Sequence, residues 1–206
     1  MENSVKTVIM QTMAYMAIGI IGLVAYHFAI QWLFIVCALL SIAQWLFSLF
    51  RRELQPFSYP YLASCLVAGL LLTEGWINGG CYGFCLYWAS ALFFSAIFKL
   101  LSKHVVLIII PVVSIVAYFL GADFWFRTAS VYCTVSFFVD LLHGKLAPAV
   151  TGTFLGCCVM AVSFSFANED GTAWSKIIIG LLLGASFYYI AGAIYSFIHT
   201  IPRGRN

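Results

Sequence analysis

Residues 8–50 form an almost unbroken apolar stretch. As a single α-helix it would run about 64 Å, roughly twice the hydrocarbon thickness of a bilayer. The stretch must therefore fold back on itself. His27 and Gln31 are the polar residues nearest its middle, and they place the turn between residues 26 and 30.

The rest of the chain follows the same pattern. Of 206 residues, 64% are apolar and 8% are charged, against about 25% charged in an ordinary soluble domain. So little charge cannot cover a water-facing surface, which makes lipid the expected solvent. Apolar runs at 8–26, 30–50, 59–76, 82–101, 105–120, 126–142, 147–166 and 174–198 read as eight membrane spans. The expected fold is an all-α, polytopic transmembrane helical bundle. It is one transmembrane domain over 1–206, built as four hairpins, with no soluble domain. Lys6 ahead of an apolar run imitates a signal peptide, but no small-residue cleavage site follows, so the run reads as a retained first span.

Polar breaks separate the runs. Arg51-Arg52-Glu53 and Pro56 end the second span. Asn78-Gly79-Gly80 reads as a tight turn between the third and fourth. Lys103-His104, Gly121-Ala122-Asp123, His143-Gly144-Lys145 and Asn168–Gly171 mark the later breaks. Pro202 ends the eighth helix, because it has no N–H to continue the ladder.

Charge tests the count. With eight spans and the N-terminus inside, Lys6, Arg51, Arg52, Lys99, Lys103, Lys145, Arg203 and Arg205 are cytoplasmic, and only Arg127 and Lys176 lie outside. This is the bias that the positive-inside rule describes. Both termini are then cytoplasmic, as in a cell membrane such as the bacterial inner membrane. Trp32, Trp76, Trp125 and Trp174 fall at outer span ends, where an indole ring can be half wet and half dry.

A duplication is suggested by Ile35-Val36-Cys37-Ala38 beside Val131-Tyr132-Cys133-Thr134, and by Pro60 and Pro148 opening the third and seventh spans. Four spans per half would make parallel repeats.

Few residues carry chemistry. Asp140 and His143 are three apart on one face near the inner end of the sixth span, and form the candidate acid–base pair. Glu74, Gln44 and Asp140 are candidates for a substrate path, because polar groups at membrane depth mark such paths. Gly152-x-x-x-Gly156 and Gly180-x-x-x-Gly184 are helix-packing faces, serving either each other or a partner. Cys81 and Cys85 are four apart, a spacing unlike the Cys-x-x-Cys of thiol–disulfide enzymes. No metal-ligand pair, phosphate-binding loop or nucleophile elbow occurs, so no metal and no cofactor is expected. The basic residues are scattered in ones and twos, which excludes a nucleic-acid surface.

Three functions fit. The first is a non-enzymatic membrane subunit that docks to itself, as a homo-oligomer, or to partner membrane proteins through helix faces. The second is a transporter or channel for a small, weakly charged or apolar molecule. The third is a membrane-embedded enzyme acting on lipid-linked substrates.

Overall fold

A computed structural model describes residues 2–52, 54, 56–100, 103–143 and 148–200. Gly144, Lys145 and the segment from Pro202 onward, with Arg203 and Arg205, lie outside the described residues, as do the side chains of Lys6, Lys99 and Lys103. The described residues are all-helical, with no strand among them. Eight α-helices follow in order: α1 (Glu2–His27), α2 (Gln31–Phe50), α3 (Ser58–Leu72), α4 (Trp76–Leu100), α5 (Lys103–Phe119), α6 (Asp123–Leu142), α7 (Pro148–Asn168) and α8 (Ala173–Thr200). Segments of three of them, Gln31–Phe50, Val150–Asn168 and Ala173–Tyr195, are long and apolar enough to cross a membrane. The chain divides into two compact units, Met1–Leu100 and Leu101–Asn206, of four helices each.

The fold-back expected near His27–Gln31 is present. Ala29 takes a left-handed φ of 56°. The Ala29 N–H donates to the Tyr26 carbonyl at 3.1 Å and the Ile30 N–H to the Ala25 carbonyl at 2.8 Å. These two bonds are the Schellman pattern, which satisfies carbonyls that a helix end leaves open.

The same turn recurs between α5 and α6. Gly121 has φ +67°. It donates to the Tyr118 carbonyl at 3.1 Å, and Ala122 donates to the Ala117 carbonyl at 2.8 Å. Every residue of the second turn is 92 positions beyond its counterpart.

That register runs through both units. Gly19, Gly22, Ala25 and Phe34 are buried in unit 1, and Pro111, Ser114, Ala117 and Phe126 in unit 2. Tyr26 lies 5.1 Å from Phe34 at an interplanar angle of 59°, and Tyr118 lies 5.3 Å from Phe126 at 57°. The helix pairings also match. α1 packs on α2 and α4, α3 on α4, and α2 on α4. In unit 2, α5 packs on α6 and α8, α7 on α8, and α6 on α8. The two units therefore share one internal design. The sequence pairings proposed above, Cys37 with Cys133 and Pro60 with Pro148, miss its register by four residues in opposite directions.

The hairpin crossings are made by small residues. A Cβ on Gly83 would lie 2.7 Å from Leu66 Cα, and one on Gly184 would lie 2.6 Å from Cys158 Cα. Backbones this close exclude side chains and gain the van der Waals contact that holds helices together in lipid. Gly79 belongs to the same face, where a Cβ would meet Leu70 Cα at 2.8 Å. This corrects the expected turn at Asn78-Gly79-Gly80, which lies inside α4. The chain reverses earlier, at Thr73–Gly75, where Gly75 supplies the positive φ of +84°.

One difference breaks the likeness. Leu66 and Cys158 are 92 residues apart, but Gly83 and Gly184 are 101 apart. The α7–α8 hairpin is thus nine residues longer, about one extra turn on each helix.

Candidate functional site

The longer hairpin changes what lies over the first turn of each unit. In unit 2, Tyr118, at the end of α5, donates its hydroxyl to Glu169 Oε1 at 2.5 Å. Glu169 follows the last residue of α7, on the extra turn. The contact ties the end of α5 to the end of α7.

In unit 1 the counterpart tyrosine, Tyr26, makes no such contact among the described residues. It borders a cleft of about 610 Å³ lined by Ala25, Tyr26, Ala29, Gln31, Phe34, Ile35, Leu72, Thr73, Glu74 and Asn78. Tyr26 and Phe34 form the aromatic wall, with Tyr82 edge-on to Tyr26 at 5.2 Å. The polar rim comes from the short α3–α4 turn and the start of α2. Two of its polar side chains are held by their own hairpin. Thr73 Oγ1 donates to the Gly69 carbonyl at 2.9 Å, and Asn78 Nδ2 to the Glu74 carbonyl at 3.2 Å. The Glu74 side chain is exposed, and its carboxylate has no partner among the described residues.

No family model matches the chain, and no curated protein or solved structure is similar to it. The site must therefore be read from its own chemistry.

Of the residues singled out by sequence, Glu74 lies in this cleft. Gln44 is half-buried on α2, more than two turns from the lining residue Ile35. Asp140 and His143 are in unit 2, at the end of α6. His143 is the C-cap residue of α6, and its Nδ1 donates to the Val139 carbonyl at 2.6 Å. Arg51 occupies the equivalent cap on α2. A basic residue at a helix C-terminus complements the partial negative charge there. Asp140 is half-buried one turn earlier.

The glycine faces separate. Gly180 and Gly184 are buried against Val162 and Cys158 of α7, while Gly152 and Gly156 are exposed and have no described atom within 4 Å of a built Cβ. Among the described residues, no group of three or more His, Cys, Asp or Glu is placed to hold a metal.

Sequence reasoning missed Tyr26, Thr73 and Asn78 as lining residues, and it missed the Tyr118–Glu169 contact. The available signal was Val24-Ala25-Tyr26 with Phe34, repeated as Val116-Ala117-Tyr118 with Phe126.

Proposed function

We propose that this chain is a non-enzymatic membrane transport protein for a small, weakly charged molecule, and that it crosses the membrane eight times as two parallel four-span repeats. The observation that carries this reading is the cleft at Tyr26 and Glu74, present in one copy of a duplicated design. Clefts of about 300–1,000 Å³ with an apolar wall and a few polar groups are typical of small-molecule sites. Internal repeats are a recurrent basis of transporter folds.

The topology is supported by two independent features. The basic residues alternate as the positive-inside rule requires. In addition, α2, α4, α6 and α8 each carry an exposed tryptophan in the first turn: Trp32, Trp76, Trp125 and Trp174. Both termini are then cytoplasmic, in a cell membrane such as the bacterial inner membrane.

Flux into liposomes containing the purified protein, over a panel of small amphiphiles, tests the function. A panel that gives no flux above empty liposomes would remove the transport reading. Reporter fusions after Arg52 and after Gly171 test the topology, with the first expected inside and the second outside.

A second reading has its own observation. Of three Gly-x-x-x-Gly pairs in helices, 79/83 and 180/184 are packed, whereas 152/156 is open. This favours a subunit that docks to itself or to a membrane partner through α7. A discrete oligomer in mild detergent that becomes monomeric with Gly156→Leu would support it.

A further inference from the structure

We propose that the unit 1 cleft binds a protonated primary amine with an apolar body, whose ammonium group is held by Glu74 and whose body lies against Tyr26 and Phe34. The inference rests on the transport reading above and names its substrate class.

The lining selects for charge. Among the described residues that line the cleft, Glu74 is the one that is formally charged, and none is basic. An anionic guest would meet that carboxylate without compensation, whereas a cation would neutralise it.

The carboxylate also favours a guest that donates hydrogen bonds. Thr73 and Asn78 use donor hydrogens on backbone carbonyls of their own hairpin. The cleft keeps acceptors in the Glu74 carboxylate, the Gln31 and Asn78 amide oxygens and the hydroxyl lone pairs, beside the N–H donors of Gln31, the second N–H of Asn78 and the Tyr26 O–H, and the carboxylate is the strongest of these groups. A guest that brings several N–H donors fits this set, and an ammonium group brings three. A quaternary ammonium brings none.

The wall selects for shape. Tyr26 and Phe34, 5.1 Å apart, give an aromatic surface beside the acceptors. Such a surface suits an apolar chain or ring, and the ring faces favour nearby positive charge.

Unit 2 supplies the internal contrast. At its longer hairpin Glu169 accepts a hydrogen bond from Tyr118, the counterpart of Tyr26. Unit 2 carries Asp123 where unit 1 has Gln31, and there the carboxylate is paired with Arg127 at 3.0 Å.

The test is equilibrium binding to the purified full-length protein in nanodiscs at pH 7. The probes are phenethylamine, its neutral analogue 2-phenylethanol and the anion 3-phenylpropanoate. Saturable binding is expected for the amine alone. Glu74→Gln should weaken it at least tenfold, and Gln31→Glu should tighten it severalfold. Glu169→Gln should leave it unchanged. The proposal is overturned if the wild type fails to bind the amine, if the alcohol binds as tightly, or if Glu74→Gln has no effect. Amine flux into liposomes separates the two levels. Binding that follows this pattern without flux supports the site and removes only the transport reading. Flux that is unchanged in Glu74→Gln overturns the site and keeps transport.

Discussion

Ser186 donates its hydroxyl to Ser114 Oγ at 2.8 Å, and both residues are fully buried. The bond links α8 to α5 inside unit 2. At the equivalent crossing in unit 1, Gly22 faces Cys85, and a Cβ on the glycine would come within 2.6 Å of the cysteine Sγ. One copy of the design joins these helices by a hydrogen bond, and the other by close packing. Removal of the bond should therefore be felt but tolerated. Ser114→Ala is expected to cost about 0.6 kcal/mol, the mean for such bonds in membranes. Ser186 keeps a second acceptor, the Leu182 carbonyl at 3.3 Å. Adding Ser186→Ala to Ser114→Ala should therefore cost little more, as measured by reversible unfolding in detergent.

The paired turns predict opposite effects from mirrored substitutions. Ala29 sits at φ 56° and Gly121 at φ +67°. A left-handed conformation costs a residue with a Cβ about 1 kcal/mol relative to glycine. Ala29→Gly is expected to raise stability by about 0.5–1 kcal/mol, and Gly121→Ala to lower it by a similar amount. Melting temperatures that move in the same direction would count against the turn assignment.

The glycine faces predict a contrast in packing. Gly184→Val places its branched side chain against the α7 backbone, which cannot yield as a flexible side chain would. A loss of about 1–3 kcal/mol is expected. Gly156→Val meets no described atom and should leave unit 2 unfolding unchanged. Thermal melts of the two variants, followed by size-exclusion chromatography, check both statements.

The contact between Tyr118 and Glu169 predicts an asymmetry between the units. Tyr118→Phe removes a donor to a carboxylate and should destabilise unit 2 by about 1 kcal/mol. Tyr26→Phe removes no described hydrogen bond and should be neutral. Protection of α7 and α8 amides from hydrogen exchange should fall in the first variant alone.

Much of the helix plan was legible because charge and glycine punctuate so apolar a chain. The reversal between residues 27 and 31 could be located from two polar side chains and a length limit. Asn78-Gly79-Gly80 misled for a physical reason. Glycine marks turns in water, but in apolar helices it also marks close crossings, and a single sequence does not separate the two uses. Gly75, three residues earlier, carried the turn. The repeat was visible as a tendency, but its register was not. Cys37 and Cys133 look alike, yet the buried positions that correspond are Phe34 with Phe126 and Ala38 with Ser130. Of the cleft, Glu74 could be named, since a carboxylate stands out in such a chain. Its neighbours could not, because they meet only where the α1–α2 and α3–α4 turns come together, and no motif joins them.

The shortness of the α3–α4 hairpin has a consequence for how such a protein can diversify. An insertion or deletion in a connection is one genetic event, whereas filling or opening a cleft by altering its walls takes several substitutions that must agree. Two copies of one helix plan can thus come to differ at the mouth of a hairpin through a single change in length. One half can vary there while the other keeps the shared plan.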